Sequence, residues 1–208
     1  MKNLDLIADR LRANFTAKNA ARDATLERSR TLIRHCANAI RAAHRDERDL
    51  ARQHITEAKD IVAAIRADLA AFPDLYHAGY TQDALKEFAE ANIVFALVGN
   101  EPLPAPEELG VEYAAYLNGL GEAAGELRRR CLDIIRHDHS DESERLLEAM
   151  DDIYSLLVTV DYPDAITGGL RRTTDMVRGV TERTRGDLTT SLRQQRLQEA
   201  LRKYENRT

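Results

Sequence analysis

Tryptophan is absent from this 208-residue chain, and aromatic residues make up only 5% of it. Platforms on which bases could stack are therefore sparse. Five prolines and ten glycines are few for this length, and they cluster. Such scarcity excludes a loop-rich chain and points to long helices joined by few turns. The two cysteines, Cys36 and Cys131, lie among apolar residues and outside any CxxC or CxxxH spacing. Isolated thiols give no disulfide framework and no structural zinc site; they suit core packing in a reducing interior. No apolar run approaches the roughly 18 residues that a membrane span needs. The N-terminal MKNLDLIADRLRANF is amphipathic and lacks the apolar centre of a secretion signal. A cytoplasmic protein without a membrane partner is expected. The net charge of −5 excludes a uniformly basic nucleic-acid coat, so a nucleic-acid role requires arginines gathered on one surface. There is no Ser/His/Asp elbow, phosphate-cradling glycine loop or dinucleotide fingerprint.

Alanine, leucine, glutamate and arginine dominate, and all four favour helix. Helical periodicity runs nearly throughout. Leu4, Ile7, Ala8 and Leu11 form one face of a short first helix. A second helix is expected over about 17–45, with Leu26, Ile33, Ala37 and Ile40 inward, and a third over about 47–71. Phe72-Pro73-Asp74 stops the third, because the residue before proline disfavours helix. A fourth spans about 83–98, and the loop GNEPLPAPEELG follows with three prolines and two glycines. A fifth covers about 111–136 on the stripe Tyr113, Leu117, Leu120, Ala124, Leu127, Cys131 and Ile134. The HDHSDES stretch breaks it, and Ser140 or Asp141 can cap the sixth. The sixth carries Leu146, Leu147, Met150, Ile153, Leu157 and Val158, and the last runs over about 165–203. No strand alternation survives. The expected fold class is all-α, a single seven-helix bundle spanning one domain, 1–208. Long rods with apolar stripes on more than one side often associate between chains.

Two carboxylate pairs stand out. Glu87 and Glu90 are three apart, and Glu122 and Glu126 are four apart, so each pair shares a helix face. The first pair's face continues as Val94 and Leu97, a face half meant for burial. The second shares its face with Ala115 and Gly119, small residues that let a helix or ligand approach closely. Four carboxylates converging from two helices would make a hard-oxygen site suited to Mg²⁺ or Mn²⁺. Spacing alone leaves the bland alternative open. Counted from the apolar stripe of the fifth helix, Glu122 and Glu126 lie on the opposite face, as a solvated pair would. The Glu-x-x-His motif of ferritin-like di-metal bundles does not occur.

Arg171, Arg178 and Arg185 recur every seven residues on the last helix, with Arg172, Arg183, Arg193 and Arg196 beside them. Arg28, Arg30, Arg34, Arg41 and Arg45 form a second group, and Arg128, Arg129 and Arg130 follow Glu126. Arginine grips phosphate with a planar fork. The same arginines can equally pair on solvated faces, with Asp175 and Glu182 within reach. His137 and His139, two apart, do not face each other and are not read as ligands; His35 and His44 suit packing or phosphate contact better than base catalysis.

The order of these segments resembles the translin/Trax family over most of the chain. RSRTLIRHCANAIRAAHRDE leads through a Phe-Pro turn and Tyr76 into LKEFAEANIVFALV, then a proline loop, EYAAYLNGLGEAAGELRRRCL and GGLRRTTDMVRGVTERTRGDL. Its most specific piece is Tyr116, Leu117, Gly119, Leu120, Glu126, Leu127 and Arg129. The resemblance implies a seven-helix bundle that assembles into hollow homo-oligomers, hexamer to octamer. In Trax-like members a Glu-x-x-Glu pair and an Asp-x-x-x-Glu pair bind a divalent metal and cut RNA inside the cavity. Glu87 and Glu90 match the first pair, Glu126 matches the second, and Glu122 stands where the family has Asp. The implied function is a Mg²⁺- or Mn²⁺-dependent endoribonuclease with Glu87, Glu90, Glu122 and Glu126 as catalytic metal ligands. Arg30, Arg34, Arg129, Arg171, Arg172 and Arg178 would hold RNA, single-stranded or with unpaired regions, and ssDNA. Translin-like members lack the full acidic set and mainly bind nucleic acid, so a non-catalytic single-stranded DNA/RNA-binding scaffold is the alternative. A purely structural helical bundle is a third.

Overall fold

Between Leu4 and His44 the chain has neither proline nor glycine, and it forms one helix there without a break, α1 (Leu4–His44). The computed structural model describes residues 3–137 and 141–206. The other helices are α2 (Arg48–Asp68), α3 (Pro73–Tyr76), α4 (Gly79–Val98), α5 (Pro106–Leu109), α6 (Tyr113–Ile135), α7 (Asp141–Leu157), α8 (Asp164–Thr167) and α9 (Leu170–Glu205). The described residues contain no strand. The all-α class holds, but the count is nine among the described residues, not seven. The two expected N-terminal helices are fused, because nothing between them stops propagation. Three single turns are added at proline-bearing connections, where Pro73 and Pro106 open α3 and α5. Gly168 and Gly169 are both left-handed, with φ of 64° and 85°, so the last long helix starts at Leu170 rather than near 165. Asp141 opens α7, while His139 and Ser140 lie outside the described residues.

Helix α4 lies at the centre and packs against α1, α2 and α6. Phe88, Leu85, Ile93 and Val94 on it are fully buried. Side chains of that size each contribute about 1.5–3 kcal/mol through burial. Arginines from neighbours close its C-terminal end, where carbonyls lack helical partners. Arg48 donates to the Phe95 carbonyl at 2.7 Å and Arg145 to the Leu97 carbonyl at 2.8 Å. On its other side α6 packs against α7 and α9. The apolar stripe of α6 is therefore only one of its buried faces. The small face, with Ala115, Gly119 and Ala123 buried, lies against α4. A Cβ at Gly119 would come within 2.7 Å of the Lys86 carbonyl and 3.0 Å of the Glu90 amide. Both cysteines are buried in the core, as expected.

Several expected inward positions face outward. Leu4, Ile7 and Leu11 are exposed, joined by Leu6 and Phe15, as are Ile33, Tyr113, Val158 and Leu201. Leu32, Cys36 and Ala39 define the buried face of α1, and Ile33 falls off that face; the others lie at or near the ends of their helices. Among the described residues no helix is long and apolar enough to cross a membrane.

Candidate metal centre

The close approach of α4 and α6 at Gly119 sets the two glutamate pairs against each other. One carboxylate oxygen from each of Glu87, Glu90 and Glu122 lies within 4.8 Å of the other two. Glu90 is only 8% exposed, and no hydrogen bond to its carboxylate is seen among the described residues, so the small surface left to it is its contact with water. Burial, followed by the charges of Glu87, Glu122 and Glu126, pushes Glu90 up to about 8. Burial also raises Glu87. An ionised carboxylate held away from water without a partner is costly. Lys86 supplies one cation to this cluster, its Nζ lying 2.7 Å from Glu122 Oε1 and 3.8 Å from Glu87 Oε1.

Glu126 stands beside this trio and is held differently. Its Oε2 lies 2.6 Å from His44 Nε2, and Arg129 Nη1 lies 3.7 Å from the same oxygen. The hydrogen bond to His44 outweighs burial and keeps Glu126 below the usual carboxylate range. The His44 side chain is 4% exposed, and its Nδ1 has no hydrogen-bond partner among the described residues. Cys36, also on α1, has its thiol pushed up by burial and then by Glu87 and Glu90. Helix α1 thus walls the acidic cluster on a third side.

Sequence reasoning missed His44 as a partner of Glu126 and Lys86 as a partner of Glu122. The first pair is 82 residues apart, so no local spacing signals it. Arg130 anchors the end of α1 that carries His44. It donates to the His44 carbonyl at 3.0 Å and pairs with Asp46 at 2.9 Å and Glu142 at 2.9 Å.

The expected phosphate-binding arginines divide. Arg30 and Arg34 are exposed on α1. Arg129 is exposed beside Glu126. Arg171 and Arg178 are exposed but reach Asp161 at 3.3 Å and Asp175 at 3.9 Å. Arg172 lines a groove of about 1000 Å³ together with Lys86, Glu122, Tyr113 and Asn118. This groove connects the acidic cluster with the start of α9. Of the other grouped arginines, Arg128 pairs with Asp187 at 2.8 Å and Arg185 with Asp151 at 2.5 Å.

The donor set fits a hard divalent cation. It offers carboxylate oxygens from two helices, one buried and unpaired, and a single lysine against the surrounding negative charge.

No family model matches the chain. It is similar to the uncharacterised protein MJ0175 of Methanocaldococcus jannaschii, 32% identical over 195 residues, covering 92% of this chain and 86% of that protein. The fold superimposes on AfC3PO with a TM-score of 0.82 at 30% identity, covering 88% of this chain and 96% of that one. AfC3PO solved as a duplex RNA complex gives a TM-score of 0.83 at 30% identity, covering 88% and 95%. Apo-NeC3PO shares the fold alone, with a TM-score of 0.80 at 20% identity and coverage of 88% and 96%. With this identity over nearly the whole of AfC3PO, and a common fold, the chain belongs to the translin/Trax-type C3PO family.

Proposed function

We propose that this chain is a Trax-like, divalent-metal-dependent endoribonuclease subunit that binds and cleaves RNA within a homo-oligomer. The observation that carries this reading is the convergence of Glu87, Glu90 and Glu122 within 4.8 Å, with Glu90 buried and unpaired. In this reading Glu87, Glu90, Glu122 and Glu126 hold Mg²⁺ or Mn²⁺. Such an ion supplies positive charge that polarises a phosphodiester oxygen. The residues of the chain do the rest. His44 fixes the rotamer of Glu126 and keeps it ionised. Lys86, which lines the groove beside Glu122, would offer its ammonium to a phosphate there. Arg172 follows the backbone along that groove, and Arg30, Arg34, Arg129, Arg171 and Arg178 extend the basic surface. Arg171 and Arg178 must exchange an aspartate for phosphate, so they contribute less than Arg172.

Sparse aromatics favour recognition of backbone and shape over base readout. AfC3PO was solved with duplex RNA, so duplexes belong beside single strands in the test. End-labelled RNA of both kinds is incubated with the purified protein in Mg²⁺, in Mn²⁺ and with EDTA. Cleavage should require the ion and should vanish in Glu126→Ala. Absence of cleavage with either ion sinks the enzyme reading.

One observation favours a second reading, a non-catalytic nucleic-acid-binding scaffold. Lys86 already places an ammonium 2.7 Å from Glu122, and Glu90, pushed up to about 8, keeps its proton near neutral pH, so the cluster is partly neutralised from within and its need for an ion is smaller. That reading expects salt-sensitive RNA binding without cleavage.

A further inference from the structure

Away from the acidic cluster, α1 and α2 bring a second donor set together. His54 and Glu57 are three apart on α2, so both face the same side. His35 meets them from α1. Its Nδ1 lies 2.8 Å from Glu57 Oε2, while His54 Nδ1 lies 3.3 Å from the same oxygen. The two ring nitrogens are 3.3 Å apart. The other oxygen of Glu57 accepts a hydrogen bond from Gln53 Nε2 at 3.1 Å, which leaves Oε2 to the histidines. That hydrogen bond, more than the two rings, keeps the Glu57 carboxyl below its ordinary range and hence ionised.

The dimensions match a coordination polyhedron. Zinc–nitrogen distances of about 2.0–2.1 Å give tetrahedral edges of about 3.3–3.4 Å. The triangle here has edges of 3.3, 3.3 and 2.8 Å. A point about 2.05 Å from all three atoms lies about 1 Å out of their plane, leaving a fourth position for water. The side chains of His35, His54 and Glu57 are 21%, 19% and 40% exposed, so an ion can enter from solvent. Two imidazoles with one carboxylate select Zn²⁺, Co²⁺ or Ni²⁺ over Mg²⁺, in contrast to the all-carboxylate cluster. Nine residues of α1, about 13 Å of helix, separate His35 from His44 at that cluster.

We propose that His35, His54 and Glu57 bind a borderline divalent ion of the Zn²⁺ class, which bolts α1 to α2. Co²⁺ is the probe, added to the metal-free full chain in excess Mg²⁺, which occupies hard-oxygen sites. A stoichiometric visible band of tetrahedral intensity is expected in the wild type and in Glu90→Gln, with loss in His54→Gln and in Glu57→Gln. Glu57 is partly exposed, so Glu57→Gln keeps the test valid if His54→Gln fails to fold. Zn²⁺ should displace the Co²⁺ and raise the Tm of the wild type but not of Glu57→Gln. No band, a band that persists in the folded site variants, or one lost in Glu90→Gln overturns the site. An unchanged wild-type Tm with bound Zn²⁺ overturns its role as a bolt.

Discussion

Glu90 carries the largest electrostatic cost in the acidic cluster, and that cost depends on pH. With its pKa raised to about 8, the folded chain keeps a proton that the unfolded chain has already released. Stability therefore falls as pH rises from the ordinary carboxylate range through about 8. Glu90→Gln removes the titrating group. In EDTA its Tm should exceed that of the wild type at pH 8.5, with a smaller difference at pH 5. Thermal melts followed by circular dichroism at the two pH values check this; an equal difference at both contradicts it. His44 is a positioning residue acting through Glu126. His44→Ala should weaken Mn²⁺ binding about 10–100-fold, the range for loss of a group that orients a metal ligand. Titration calorimetry with Mn²⁺ reads that loss, and an affinity equal to the wild type contradicts the role. The spacing of Glu87 with Glu90 and of Glu122 with Glu126 was legible from the sequence. Which neighbours hold them was not, because His44 reaches Glu126 only through the packing of α1 beside α6. The His54-x-x-Glu57 spacing was also legible in principle, but it gains meaning only when His35 crosses from α1.

At the scale of elements, the contact of α4 with α6 is the joint that builds the cluster. Gly119→Ala would place a methyl 2.7 Å from the Lys86 carbonyl, which is backbone and cannot rotate away. The expected cost is about 1–3 kcal/mol, as for overpacking elsewhere. The shift would also move Glu87 and Glu90 relative to Glu122. Denaturant unfolding should show the loss, and unchanged stability would mean that the helices do not approach this closely. The same joint explains why the Glu122 and Glu126 side chains are half-buried, 34% and 27% exposed, rather than fully solvated. The apolar stripe marked one buried face of α6, but alanine and glycine made a second buried face that hydrophobic periodicity does not register. The six long helices were legible as helix, though the first was read as two. The count was not, since no breaker separates the first two expected helices and single turns carry no periodicity.

For the whole molecule, the long helices leave apolar residues uncovered. Leu4, Leu6, Ile7, Leu11 and Phe15 are exposed along the first part of α1, and Leu197, Leu201 and Tyr204 near the end of α9. Assembly with further copies would bury both groups. Light scattering after size exclusion should give a multiple of the chain mass. Leu11→Asp combined with Phe15→Asp should lower that multiple while leaving helical circular dichroism unchanged. A wild-type monomer would contradict this. The central claim, that two acidic helices converge to hold a divalent cation, is tested most directly by anomalous diffraction from a Mn²⁺-soaked crystal. A Mn²⁺ peak bounded by Glu87, Glu90 and Glu122, with Lys86 displaced from Glu122, is the expected result. No peak there, with Lys86 still on Glu122, would contradict it.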